Sequence, residues 1–171
     1  MKKRYAALIF CAIGLLLGSV TSEAKKKPSV TAESAIVMDV QSGAILYEKN
    51  IDKREYPASI TKVMTALVAI ENSSLSETVT YSRNAVINLE SGASNIEIQP
   101  GEKLSMEDSL YAILLMSANE ACNGVAEHVA GSIDNFVAMM NQKAKELGCT
   151  GTHFANANGL WMSNHYTTAQ I

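Results

Sequence analysis

The sequence predicts an α/β chain of the α+β kind, with a cluster of helices packed on an antiparallel sheet of which only an N-terminal hairpin is present. Three observations lead there. Two short β-prone runs, at 35–40 and 44–47, flank a Gly-containing turn. Later stretches at 59–70, 105–115, 121–130 and 133–147 carry apolar residues at helical spacing and end at turn formers. The chain's 171 residues suffice for one domain with a sizeable core but are short for two. A two-stranded hairpin is marginal by itself, so the sheet reads as incomplete within this chain.

The elements follow in order. Residues 25–33 are polar and read as a flexible lead-in to a domain over 34–171. Gln41-Ser42-Gly43 separates the two strands of the hairpin. After a charged loop ending at Pro57, residues 59–70 form a helix offering Val63, Met64, Leu67, Val68 and Ile70 for burial. Residues 78–81 are a short extended piece, followed by a polar loop through Ser91-Gly92 and a turn at Pro100-Gly101. Ser105 opens a helix with acid in its first turn, leading to Leu110, Ile113, Leu114 and Leu115. Ser117-Ala118-Asn119 interrupts the apolar run. Two further helices stop at Gly131 and Gly148, and 149–171 is Asn/Gly/Thr-rich and loop-like.

The first 24 residues stand apart. Lys2, Lys3 and Arg4 precede an apolar run over 6–20 and the small-residue stretch Thr21-Ser22-Glu23-Ala24, the pattern of an export leader cleaved after Ala24. Roughly 20 apolar residues are needed to span a bilayer, and this run is shorter. Export places the mature chain in the cell envelope, outside the cytoplasmic membrane, or beyond it. Three of the 14 Lys and Arg and one of the 17 Asp and Glu leave with the leader, so the remainder carries a net charge of −5. That balance gives no electrostatic footprint for nucleic acid. Lys25, Lys26 and Lys27 read as a solvated start of the mature chain. Cys122 and Cys149 remain after export, where a bridge between them is chemically permitted. Cys122, among small apolar residues, reads as buried packing. No C-x-x-C or H-E-x-x-H spacing occurs, so neither a metal nor a cofactor is expected, and His128, His153 and His165 read as structural.

Ser59-Ile60-Thr61-Lys62 carries the first chemical signal. On a helix, positions i and i+3 share a face, which sets Lys62 beside the Ser59 hydroxyl. Serine is a weak nucleophile without a neighbouring base, and burial lets a lysine serve by favouring its neutral form. The tetrad alone is a weak sign: Ser22-Glu23-Ala24-Lys25 has the same spacing inside the leader junction. Ser117-Ala118-Asn119 is the second signal. A hydroxyl there can pass a proton to a leaving group, and the amide can fix the lysine and a substrate carbonyl. Ser82-Arg83-Asn84 also matches S-x-N, but it lies in a polar segment, whereas Ser117 lies at a junction between apolar helices. A capping turn between helices remains the alternative there.

These segments together resemble the low-molecular-mass D-alanyl-D-alanine carboxypeptidases of the penicillin-binding-protein superfamily. The resemblance rests on Tyr56-Pro57-Ala58-Ser59-Ile60-Thr61-Lys62, on 103–115 leading to Ser117-Ala118-Asn119-Glu120-Ala121, and on Thr152-His153-Phe154, Asn156, Gly159-Leu160 and 165–169. It implies a DD-peptidase/serine β-lactamase-like fold, with Ser59 as acyl-ester nucleophile, Lys62 as general base, and Ser117 and Asn119 as the second catalytic element. The implied partners are peptidoglycan stem peptides ending in D-Ala-D-Ala and, as covalent inhibitors, β-lactams.

The chain departs from the family pattern in two places. No Lys-Thr-Gly occurs in it, so the resemblance implies a sequence cut short of the family's third motif, a strand that binds the substrate carboxylate. Trp161-Met162-Ser163 stands where the family more often has acidic or Pro-containing sequence. A catalytically dead remnant that binds peptidoglycan or a partner is therefore a competing expectation. A class A β-lactamase is a weaker one, because no Glu-x-x-Leu-Asn segment is present.

Overall fold

The computed structural model describes residues 28–87 and 89–170. The expected leader over 1–24 lies outside them. From Ala32 onward the chain forms one compact unit.

The hairpin forms as its composition requires. Strands β1 (Ala35–Met38) and β2 (Ile45–Lys49) pair antiparallel, with a bulge between Val37 and Met38. Asp39 closes the turn, its carboxylate accepting from the Ser42 N–H at 2.8 Å and its carbonyl from Gly43 N–H at 2.9 Å. Gly43 has φ +71°, a left-handed conformation that costs glycine least.

Beyond Pro57, a single 3-10 turn (Ala58–Ile60) runs directly into helix α1 (Thr61–Asn72). The helix lies where the sequence puts it, but its buried stripe is Thr61, Lys62, Thr65, Ala66, Val68 and Ala69. Val68 is buried as expected, whereas Val63 and Ile70 face outward, 62% and 53% exposed. Two forces set this rotation. Small residues let neighbouring helices approach closely, and the buried polar groups of the stripe are all paired within the site described below.

Strand β3 (Thr78–Thr80) pairs antiparallel with β4 (Lys103–Ser105), giving a second two-stranded sheet in the described residues. A short helix, α2 (Arg83–Val86), interrupts the expected loop, capped by the Ser82 hydroxyl accepting from Ala85 N–H. Neither β4 nor α2 has a sequence signal long enough to register: each spans a few residues and depends on tertiary contacts. Helix α3 (Met106–Leu115) starts at a Ser105 cap, whose Oγ accepts from Asp108 N–H at 3.0 Å. Helix α4 (Asn119–Ala130) ends at Gly131 with φ +76°, and α5 (Ile133–Glu146) starts at a Ser132 cap.

Helix α4 is the centre of the unit, packing on α1, α2, α3, α5 and β3. Its Gly124 makes this possible. A Cβ there would sit 2.3 Å from the Tyr81 ring, so only glycine lets that ring come so close to the helix. Tyr81 is fully buried and donates its hydroxyl to Ser109 Oγ at 2.8 Å, which satisfies its polar end. Around it the core collects Met106, Ile113, Val125, Phe136 and Met140. Met139 packs against the same cluster, so the methionine pair serves packing as expected. Leu110 and Ile113 of α3 are buried, but Leu114 and Leu115 are exposed. Cys122 is buried and Cys149 half-buried, both as free thiols.

Candidate active site

Four segments meet at Lys62, and each is held by local chemistry. The 3-10 turn presents Ser59, α1 presents Lys62, the α3–α4 junction presents Ser117 and Asn119, and the loop over 155–160 presents its backbone. Lys62 is only 3% exposed. Its Nζ lies 2.6 Å from the Asn158 carbonyl oxygen, 2.9 Å from Asn119 Oδ1 and 3.3 Å from Ser59 Oγ. Three acceptors match the three protons of an ammonium. Burial nevertheless pulls the Lys62 pKa down from its ordinary value, against the opposing influence of Cys122 and Glu120. In the neutral amine the two short bonds keep the two N–H donors, and the nitrogen lone pair is left for the long contact, that to Ser59.

Ser117 closes the other side. Its Oγ donates to Ser59 Oγ at 2.9 Å. Ser117 has φ +55°, a left-handed conformation uncommon outside glycine and of order 1–3 kcal/mol in cost. The strain is held in place by its neighbour: Asn119 N–H and Nδ2 both donate to the Ser94 carbonyl, at 3.0 and 2.9 Å. Because the amide nitrogen is committed to a carbonyl, Oδ1 must face Lys62, which fixes the amide orientation. Glu120 extends this clamp, accepting from Ile96 N–H at 2.6 Å. The loop over 92–96 is thus tied to the first turn of α4. All four residues singled out from the sequence, Ser59, Lys62, Ser117 and Asn119, come together in one hydrogen-bonded cluster.

The loop over 155–160 supplies what sequence reasoning assigned no role. Asn156 Oδ1 accepts from Gly159 N–H at 2.7 Å, and Asn158 Oδ1 from Leu160 N–H at 3.0 Å, folding the loop on its own side chains. Thr65 pins it to α1 through a 2.6 Å bond to the Ala157 carbonyl. Gly159 has φ +84°, and a Cβ on it would meet the Ala58 carbonyl oxygen at 2.0 Å. The loop backbone therefore lies directly against the residue preceding Ser59. His165 locks the same region. Its Nδ1 accepts from Ala155 N–H at 3.1 Å, so its proton sits on Nε2, which donates to Thr61 Oγ1 at 2.8 Å. Burial and the nearby His153 hold its pKa below the usual histidine value. The dense Asn and Gly of this segment were legible as a loop. A backbone carbonyl acting as a lysine acceptor has no residue-type signature.

Among the described residues no group of His, Cys, Asp or Glu is placed to hold a metal ion.

A serine bonded to a buried lysine and to a second serine thus stands on a helix-rich α+β unit. The fold agrees: the unit is similar to a D-alanyl-D-alanine carboxypeptidase of Francisella tularensis, with TM-score 0.78 and 36% identity over 84% of this chain and 35% of that one. It is also similar to penicillin-binding protein 6B of Escherichia coli, with TM-score 0.80 and 29% identity over 86% of this chain and 49% of that one. The chain belongs to the D-alanyl-D-alanine carboxypeptidase family, Peptidase S11, whose pattern matches residues 21–170. It is 35% identical to the carboxypeptidase DacF of Bacillus subtilis, over 98% of this chain and 45% of that protein. It is 36% identical to DacC of Escherichia coli, over 84% of this chain and 38% of that protein. The chain thus spans less than half the length of these relatives.

Proposed function

We propose that this chain carries the nucleophile-bearing part of a serine D-Ala-D-Ala carboxypeptidase that removes the terminal D-alanine from peptidoglycan stem peptides. One observation carries the reading: Ser59 Oγ lies between Lys62 Nζ at 3.3 Å and Ser117 Oγ at 2.9 Å, with Lys62 buried and otherwise fixed by Asn119 and Asn158. Neutral Lys62 takes the Ser59 hydroxyl proton as Oγ attacks the carbonyl carbon between the two D-alanines. The resulting oxyanion is stabilised by backbone N–H groups at the helix start, Ser59's own among them. The tetrahedral adduct collapses by breaking the C–N bond. The leaving nitrogen takes its proton from Ser117, which is reprotonated by Lys62. Water then attacks the ester, giving its proton back through Lys62 and releasing the shortened peptide and free Ser59.

β-Lactams present the same acyl carbon with a tethered leaving group, so they acylate Ser59 covalently. No cofactor enters these steps. The substrate lies outside the cytoplasmic membrane, which fits the export leader read over 1–24. Labelling of the full-length gene product with fluorescent penicillin tests the reading. A covalent adduct mapped to Ser59 and lost in Ser59→Ala is the expected result. No labelling, or labelling that survives Ser59→Ala, would overturn it.

A further inference from the structure

Glu120 has no part in the acyl-transfer steps, yet it is 1% exposed in the first turn of α4, directly after Asn119. One carboxylate oxygen accepts from Ile96 N–H at 2.6 Å. The other is fully buried and has no hydrogen-bond partner among the described residues. Leaving a charged oxygen dry and unpaired is costly, so such an atom calls for a reason. Acid at a helix start suits the helix dipole, but an exposed carboxylate would serve that purpose equally. Among the described residues Lys62 is the only buried lysine or arginine and Glu120 the only buried carboxylate.

The two are linked through one loop and through charge. Asn119 holds Lys62 Nζ with Oδ1 at 2.9 Å and donates to the Ser94 carbonyl with N–H and Nδ2. Glu120 holds the Ile96 N–H two residues further along, so consecutive residues of α4 grip the same loop. Burial lowers the Lys62 pKa, and Cys122 and Glu120 act against that. Desolvation pushes the Cys122 thiol up to about 12. It pushes the Tyr81 hydroxyl, which also feels the Glu120 charge, up to about 12 as well. Both are therefore uncharged at neutral pH. Burial holds His165 below the usual histidine value, and its ring is bonded to Thr61. Glu97 and Glu102 are exposed to water, where salt screens them. Glu120 is left as the buried anion that Lys62 feels.

We propose that Glu120 is a positioning residue of the acylation step: its carboxylate stabilises the ammonium that Lys62 becomes on taking the Ser59 proton, and its bond to Ile96 N–H keeps Asn119 set against that lysine. The proposal rests on Lys62 acting as base toward Ser59. Burial alone makes Lys62 neutral but weakly basic. A carboxylate behind the base restores its strength as a proton acceptor without touching the substrate.

The test follows acylation of the full-length gene product by benzylpenicillin across pH, in stopped flow. Glu120→Gln keeps an acceptor for Ile96 N–H and removes the charge. Its rate profile should have a midpoint at lower pH than the wild type's, because the ammonium has lost its counter-charge. Its plateau should also be lower, because the remaining amine is a weaker base. Glu120→Asp keeps the charge one methylene further back, and its midpoint should fall between the two. A loosened fold lowers the plateau and leaves the midpoint in place, so the midpoint reads the charge. The 13Cε resonance of Lys62 in lysine-labelled protein, identified by its loss in Lys62→Arg, should give the same order of midpoints without any acylation. Equal midpoints in the wild type and every folded variant overturn the proposal and leave Glu120 a structural clamp. A wild type that benzylpenicillin does not acylate overturns the reading of Lys62 as the base for Ser59, and the proposal with it.

Discussion

The shortest bond made by Lys62 goes to a backbone oxygen, that of Asn158, at 2.6 Å across 96 positions of sequence. A buried lysine is thereby held by a carbonyl that no side-chain substitution removes, and its one long contact points at Ser59.

Lys62→Arg should abolish acylation of Ser59, because guanidinium keeps its proton at any useful pH. With Lys62 in place, the acylation rate should rise with pH through an apparent pKa below 10.5, since burial disfavours the ammonium. Stability should rise over the same interval, as the unfolded chain there binds a proton that the folded chain does not. Stopped-flow acylation across pH measures the first effect. An Arg variant that acylates at the wild-type rate would remove Lys62 from the role of base.

Gly159→Ala should destabilise the protein by about 1–3 kcal/mol and slow acylation, because the added methyl collides with backbone. The Ala58 carbonyl it meets at 2.0 Å belongs to the residue before Ser59, and the φ of +84° is strained for alanine as well. Thermal melting and penicillin labelling read the two effects. A variant with unchanged melting and labelling would mean that loop and nucleophile turn are not in contact.

His165 should make the protein acid-sensitive. Its folded pKa lies below the ordinary value of 6.5, so the stability it contributes is complete above 6.5 and is lost as pH falls from there to the folded pKa. Protonation would also set a second N–H donor against the Ala155 N–H that Nδ1 now accepts. Denaturation curves between pH 5 and about 8 should show this slope in the wild type and a shallower one in His165→Gln. Equal slopes would place the acid sensitivity elsewhere.

Cys122 should resist thiol reagents in the native state. It is fully buried, and desolvation pushes its pKa up to about 12, so almost no thiolate exists at neutral pH. Cys149 is half-buried, also with a pKa raised by desolvation, and should react slowly but first. Peptide mapping after maleimide treatment, with and without denaturant, assigns the order. A Cys122–Cys149 peptide found under non-reducing conditions would contradict the free thiols.

Much of this protein was determined locally by its sequence. Helix starts at Ser105 and Ser132 and stops at Gly131 and Gly148 depend on caps and turn formers within a few residues, so they are legible without a fold. The Ser59–Lys62 spacing likewise fixes its own geometry once the turn is helical. The tertiary structure alone decided three further matters. It chose which face of α1 is buried, turning Lys62 and Thr65 inward and Val63 outward, because pairing with Asn119, Asn158 and Ala157 removes the cost of burying polar groups. It paired Thr78–Thr80 with Lys103–Ser105, two segments too short to declare themselves as strands before they meet. It also brought the loop over 155–160 against Ala58 and Lys62, through backbone oxygens and one glycine. Every residue offers the same carbonyl, so sequence cannot say which one a lysine will find; only the packing of distant segments decides it.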